Sequence, residues 1–244
     1  MKIVTPYARI MEPELLAGAL GRIEYAARIS HGSEDGQTVD SAERFIRAVV
    51  LQHGDWSVVE HVSASVEFLV DRGITHEIVR HRIASYTQSS TRFINYAKKM
   101  PPTFIYPKPE VECKHCLAGS EPWKQSSGDW VHSLNDTHYD CGYDGAWLDA
   151  INMCEASYKS LLQGGWRPQE ARSVFPNALS SKIMVTMNLR TWRHFFLMRT
   201  SKEAHPQMRQ VTIPLLAEFQ RLVPVLYEDI VPDSRQVDNI AKGR

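Results

Sequence analysis

The densest concentration of chemically capable side chains is the run Arg80-His81-Arg82-Ile83-Ala84-Ser85-Tyr86-Thr87-Gln88-Ser89-Ser90-Thr91-Arg92. It holds three arginines, one histidine and a succession of hydroxyls, with only Ile83 and Ala84 aliphatic. Forked guanidinium donors, hydroxyl donors and loop amides are together what a phosphate ester requires. The plainer interpretation is a solvated basic turn. Two features favour a site. Ile74, Ile78 and Val79 give the preceding helix an apolar side, so the Arg-His-Arg triplet rests on a packed element. The Ser/Thr/Gln run that follows is also long and lacks glycine, unlike a simple turn.

A second group of reactive side chains lies further on. Cys113-x-x-Cys116, with His115, His132, His138 and Cys141 nearby, has thiolate and imidazole pairs that could close a tetrahedral zinc site. The pattern is incomplete, because it contains one CxxC and its other half would be His138-x-x-Cys141. A loop carrying free thiols therefore stands beside the metal reading, and no catalytic metal is expected.

These groups need elements to hold them. Leu15, Leu16, Leu20, Ile23 and Ala27 recur at helical spacing over 13–28, and Pro13 suits a first turn. Phe45, Ile46, Val49 and Val50 make one face of a helix over 40–52, behind an Asp40 or Ser41 cap. Val62, Ala64, Val66, Phe68 and Val70 then alternate as a strand, and a turn at Asp71-Arg72-Gly73 leads into a short helix over about 74–82. Proline-rich 101–109 reads as extended. The polar stretch ending near 145 has no period and is taken as an inserted loop region of about 107–145. Helices are expected over 146–163, 168–174, 189–199 and 206–226, the last broken or kinked by Pro214 and Pro224, with a strand at 183–187. The order predicts an α+β (mixed α/β) fold: a central, mostly antiparallel sheet with largely hairpin-connected strands, flanked by helices, in a single domain over 1–244.

The totals narrow the functional classes. Lys+Arg and Asp+Glu are both 28, so no net charge draws the chain to nucleic acid or an anionic membrane. No apolar run approaches a bilayer span, and acidic and proline residues interrupt the first sixteen positions where a signal peptide would be apolar. Four cysteines do not make a disulfide scaffold. A cytoplasmic protein with no nucleic-acid or membrane partner is expected.

Arg80-His81-Arg82, seven residues, then Ser90 matches the Arg-His-Arg-x7-Ser signature of the flavin-dependent thymidylate synthases, which this chain resembles. Arg92 and Phe93 fall where that family has Arg and an aromatic residue. Ala27-Arg28-Ile29-Ser30 resembles the family's Ala-Arg-x-Ser element, and His53-Gly54-Asp55-Trp56-Ser57-Val58-Val59-Glu60-His61 its flavin-contacting turn. Glu170-Ala171-Arg172, sixteen residues before Asn188-Leu189-Arg190, and Arg199, eleven beyond Asn188, keep the family spacing.

The resemblance implies reductive methylation of dUMP to dTMP. Methylenetetrahydrofolate would give the carbon, and FAD reduced by NADPH the hydride. It implies Arg199 as the catalytic residue. Ser57, Arg80, His81, Arg82, Gln88, Asn188, Leu189, Arg190, His194 and His205 would contact the flavin, with Glu60-His61 closing its pocket. Glu77, Arg80, Gln88, Ser89, Ser90, Thr91, Arg92, Arg172 and Arg199 would contact dUMP, Arg172 from a neighbouring subunit of a homotetramer with shared active sites. Glu77 stands where some members have Gln, His194 where others have Asn, and the Arg199–His205 interval is longer than in some relatives. None of the four cysteines falls in these motifs, so a cysteine-nucleophile mechanism has no candidate there. A flavoprotein acting on another nucleotide, a nucleic-acid-binding module gripping phosphate with the Arg/His/Ser/Tyr run, and a structural zinc module remain as alternatives.

Overall fold

The four-stranded antiparallel sheet at the heart of the fold has the order β2-β3-β6-β4, formed by Tyr7–Ile10, Ser63–Asp71, Ser180–Asn188 and Ser85–Gln88 respectively. The computed structural model describes residues 1–107 and 142–233. The cysteines and histidines proposed for zinc (Cys113, His115, Cys116, His132, His138 and Cys141) lie outside them. Two further strands, β1 (Lys2–Val4) and β5 (Thr103–Ile105), pair in parallel with Ile3 opposite Phe104. The helices are α1 (Ala19–Ile29), α2 (Ala42–Ile46), α3 (Arg72–Ile78), α4 (Gly142–Gln163), α5 (Pro168–Ala171), α6 (Leu189–Arg199), α7 (Pro206–Leu222) and α8 (Pro224–Tyr227).

The α+β reading is right, but hairpins do not connect these strands. Two helices separate β2 from β3, and the central neighbours β3 and β6 are distant in sequence. A parallel β1–β5 pair likewise requires a long crossover. The single helix expected over 13–28 is two pieces, a 3-10 turn at Pro13–Leu16 and then α1, parted at Gly18, a residue that disfavours helix interiors. The helix expected over 40–52 loosens after Ile46 into a π-helical segment, Arg47–Gln52, and stops at Gly54 with φ of 87°. Pro214 sits inside α7 without ending it, whereas Pro224 starts α8, its missing N–H being spare in a first turn. α4 begins at Gly142, within the end of the region taken as an insert.

The chain divides into two compact units. The first comprises the described parts of Met1–Pro6, Leu69–His76 and Gln88–Lys182. Its core joins Tyr96, Phe104, Ile151, Tyr158, Ala171 and Leu179, and Phe175 stacks on Tyr158 at 4.6 Å between ring centroids. The second comprises Tyr7–Phe68, Glu77–Thr87 and the described part of Ile183–Arg244. Its core is aromatic. Trp192 is fully buried, donates from Nε1 to the Ala64 carbonyl at 3.0 Å, and packs on Phe195, Phe196 and Phe219. Burying rings of this size is among the larger contributions a side chain can make, about 3–5 kcal/mol on truncation. That core fixes the orientation of α6. In the same unit Glu24 is wholly buried, paired with Arg28 at 2.8 Å and accepting from Ser41 Oγ at 2.8 Å. Arg28 also lies over the Phe45 ring at 4.6 Å, so the Ala-Arg-x-Ser element serves to dock α1 on α2.

Candidate functional site

Two clusters of candidate residues form, one in each unit. In the second unit, α6 turns Trp192, Phe195 and Phe196 into the core and leaves His194 and Met198 exposed and Arg199 partly exposed. Residues four apart on a helix share a face, which aligns His194 with Met198. Asn188 opens the helix as its N-cap, its side chain accepting from the Thr191 N–H at 2.8 Å. The end of α3 is also pinned: Tyr86 Oη donates to the Ile78 carbonyl at 3.1 Å and to the His81 carbonyl. Together these elements present Arg80, His81, Arg82, His194, Met198 and Arg199 around a pocket of about 470 Å³.

Arg199 is held closely. Its Nε donates to His81 Nε2 at 2.8 Å, Nη1 to Glu77 Oε2 at 2.8 Å, and Nη2 to the Glu77 carbonyl at 3.3 Å. The first bond fixes the chemistry of His81, because an imidazole that accepts at Nε2 carries its proton on Nδ1. His81 is buried, with its ring edge-on to Phe195 at 4.8 Å. Burial, then the Arg199 cation, then His194 lower its pKa to about 4, so the ring is neutral near pH 7. Burial raises the Tyr86 phenol above its ordinary value, which keeps it a donor. Arg80 and Arg82 are exposed. The pocket is therefore cationic, with a neutral imidazole in its wall, and suits an anionic or phosphate-bearing ligand.

The other candidates of this unit lie off that pocket. Ser57 is exposed in the 3-10 turn Trp56–His61, whose Glu60 takes a 2.6 Å bond from Arg190. The Leu189 side chain is in the core; its N–H bonds the Val62 carbonyl at 2.9 Å and its carbonyl accepts from Tyr227 Oη at 2.8 Å. His205 caps α7, with Nδ1 accepting from the Gln207 N–H at 3.2 Å.

In the first unit, Arg172 Nη1 donates to Thr91 Oγ1 at 2.8 Å, and Arg92 Nε donates to Gln169 Oε1 at 3.1 Å. Ser90 Oγ accepts from the Arg92 N–H at 3.2 Å, and the Ser89 N–H bonds the Lys182 carbonyl at 2.9 Å. The segment that the sequence joined to Arg172 only by resemblance is thus bonded to it within one chain. Gln88, expected as a ligand contact, bonds through its side chain to two hydroxyls of this unit. Its Nε2 donates to Thr75 Oγ1 at 3.0 Å and Ser181 Oγ at 2.9 Å, so both amide protons are engaged by buried hydroxyls.

Sequence reasoning missed Met198 in the pocket wall and Thr75, Ser181 and Gln169 as supports. Met198 was open to discovery from its spacing to His194; nothing in the sequence links Thr75 or Ser181 to Gln88. Among the described residues, no group of three or more His, Cys, Asp or Glu side chains could hold a metal ion, and no helix is long and apolar enough to cross a membrane.

Comparison with known proteins gives consistent matches. The family model for thymidylate synthase complementing protein matches residues 14–225. The chain is 30% identical to a flavin-dependent thymidylate synthase of Mycolicibacterium gilvum, over 87% of this chain and 80% of that protein. It is 28% identical to one of Corynebacterium glutamicum, over 98% and 88%. A UMP/dUMP methylase of Streptomyces cacaoi, solved bound with 5-Br dUMP, superposes with a TM-score of 0.69 over 93% of this chain and 96% of that one, and at 21% identity shares the fold.

Proposed function

The chain belongs to the thymidylate synthase complementing protein family, the flavin-dependent thymidylate synthases, and from that premise we propose how its own residues carry out reductive methylation of dUMP to dTMP. It is a methyltransferase with FAD as cofactor and methylenetetrahydrofolate and NADPH as co-substrates. The observation that carries the assignment of roles is the Arg199 guanidinium, fixed by His81 and Glu77 at a pocket lined by two further arginines.

The uracil ring is a poor nucleophile until negative charge on its carbonyl–nitrogen edge is stabilised. A guanidinium already held in place stabilises that charge without reorganising during the reaction. Arg199 takes this part, and three acceptors hold it in one orientation. His81, neutral and accepting at Nε2, adds no positive charge to compete with Arg199. FAD, when bound and reduced, supplies the hydride that completes the methyl group. The donors of the pocket fit a cofactor that bears phosphates and an anionic reduced ring. Arg80, His81, Arg82 and His194 would hold it, with Ser57, Asn188, Arg190 and His205 as further contacts. The phosphate and sugar of dUMP fall to Ser89, Ser90, Thr91, Arg92 and Arg172, whose hydroxyl and guanidinium groups suit a phosphate ester. Gln88 supports that segment.

The proposal extends to a cytoplasmic homotetramer with shared active sites, on the family resemblance. Since Arg172 bonds Thr91 of its own chain, the arginine and the Ser/Thr segment would be offered together to whichever subunit they serve. The test is dTMP formation from dUMP, methylenetetrahydrofolate and NADPH, with and without added FAD. Flavin-dependent product supports the reading; flavin bound without any dUMP turnover would assign the motifs to another substrate.

A further inference from the structure

Arg199 is anchored at its backbone as well as at its guanidinium. It is the last residue of α6, and the final carbonyls of a helix have no N–H of their own helix to bond. Many helices meet this need with a left-handed glycine. Here Thr200 follows Arg199 with φ of −105°, and side chains reach the carbonyls instead. Thr200 Oγ1 donates to the Phe196 carbonyl at 2.7 Å, and Ser201 Oγ to that of Met198 at 3.1 Å. The Arg199 carbonyl accepts from Thr212 Oγ1 at 2.7 Å. Thr212 is wholly buried on α7, where its hydroxyl also lies 3.0 Å from the Met208 carbonyl one turn back. A threonine inside a helix can satisfy its hydroxyl on that carbonyl alone. The shorter bond to Arg199, at the usual length for O–H···O, adds a link from α7 to the end of α6. It pins the backbone end of a side chain whose far end is held by His81 and Glu77.

We propose that Thr212 is a positioning residue for Arg199, its hydroxyl fixing the backbone from which the guanidinium reaches the pocket. This rests on the reading of Arg199 as the residue that acts on the uracil ring. An arginine side chain turns about several bonds, so holding its guanidinium in one place requires both ends to be fixed. Loosened at its backbone, the group would have to reorganise as charge develops on the ring. Thr212 is wholly buried and does not line the pocket, so substituting it alters no surface that a ligand touches there. Thr212→Val keeps the shape and removes the donor. Thr212→Ser keeps the hydroxyl and loses one methyl group, which makes it the conservative variant.

Two measurements on the full chain test the proposal. The first is steady-state dTMP formation by wild type, Thr212→Val and Thr212→Ser. Loss of one bond to a backbone carbonyl predicts a fall in kcat of about 10-fold for the valine variant. KM for dUMP should change less than about threefold, since positioning acts on the reaction and not on uniform binding. Thr212→Ser should recover most of the lost kcat. The second is hydrogen exchange of the arginine Nε–H groups by 15N NMR, with the Arg199 signal assigned by its absence in Arg199→Lys. Exchange at Arg199 should accelerate about fivefold or more in Thr212→Val and stay close to wild type in Thr212→Ser. A valine variant that unfolds more readily in urea, yet keeps wild-type kcat and wild-type Arg199 exchange, would make Thr212 purely structural and overturn the proposal. A raised KM at unchanged kcat would overturn it too. Should the valine variant not fold, Thr212→Ala, smaller and also without a donor, takes its place. A wild-type protein that makes no dTMP would refute the proposed function, while the exchange measurement would still decide whether Thr212 holds Arg199.

Discussion

Replacing His81 by glutamine should flatten the dependence of stability on acid. His81 is buried between Arg199 and Phe195 and keeps a folded-state pKa of about 4 against an ordinary 6.5. Between these values the unfolded chain binds the proton and the folded chain does not, so stability is fully present above about pH 6.5 and declines as pH falls towards 4. Over the interval from about pH 7 to about pH 5 the full shift is worth about 2 kcal/mol, and water in the adjoining pocket reduces this to about 1 kcal/mol. Glutamine cannot titrate here, yet its amide oxygen can reach the position of Nε2 and accept from Arg199. The assay is urea denaturation followed by tryptophan fluorescence, on wild type and H81Q at both pH values. The wild type should lose about 1 kcal/mol more than H81Q between them. Other titrating groups are common to the two proteins and drop out of the difference. Parallel losses, or a steeper loss in H81Q, would show that His81 is not held neutral and would remove the account of how Arg199 keeps its acceptor.

Two other substitutions separate the roles assigned to neighbouring residues. Asn188→Ala removes the cap on α6 and should destabilise the protein by about 1 kcal/mol in denaturant, with Asn188→Asp retaining most of it; no change would mean that the capping bond contributes nothing. Arg172→Ala, at the Thr91 segment, should raise KM for dUMP by about 10- to 100-fold with a smaller effect on kcat, as expected for a phosphate anchor. A kcat effect without a KM effect would detach Arg172 from the phosphate.

What could be read from the sequence follows the periodicity of its burial. Val62, just ahead of β3, and Ala64, Val66, Phe68 and Val70 within it are all buried, and the strand was legible to within a residue or two. α6 was equally plain, from Asn188 as cap to Arg199. β4 was not, because it is an edge strand of Ser85, Tyr86, Thr87 and Gln88 with no fully buried position to betray its period. β1 and β2 are short and gave no signal, and the parallel partner of β1 lies in a proline-rich stretch. The candidate site divided in the same way. Residue types pointed to a phosphate site at Arg80, His81 and Arg82 beside the plainer reading of a solvated basic turn, and only the family resemblance added Arg199. The bonds that decide each residue's role were invisible. Glu77 meets Arg199 across 122 positions, and Gln88 meets Ser181 across 93. Leu189 is a different case: a match to a family motif put it with the flavin, and its side chain is buried in the core.

The central claim is that the reducing hydride comes from the flavin, and the folate product tests it most directly. If reduced FAD completes the methyl group, methylenetetrahydrofolate gives up only its carbon and leaves as tetrahydrofolate, one for each dTMP formed. If the folate itself supplied the hydride, it would leave as dihydrofolate. A single turnover of the protein loaded with reduced FAD, dUMP and methylenetetrahydrofolate, without oxygen, should yield dTMP, tetrahydrofolate and oxidised FAD in equal amounts. Dihydrofolate in step with dTMP, with the flavin still reduced, would contradict the account.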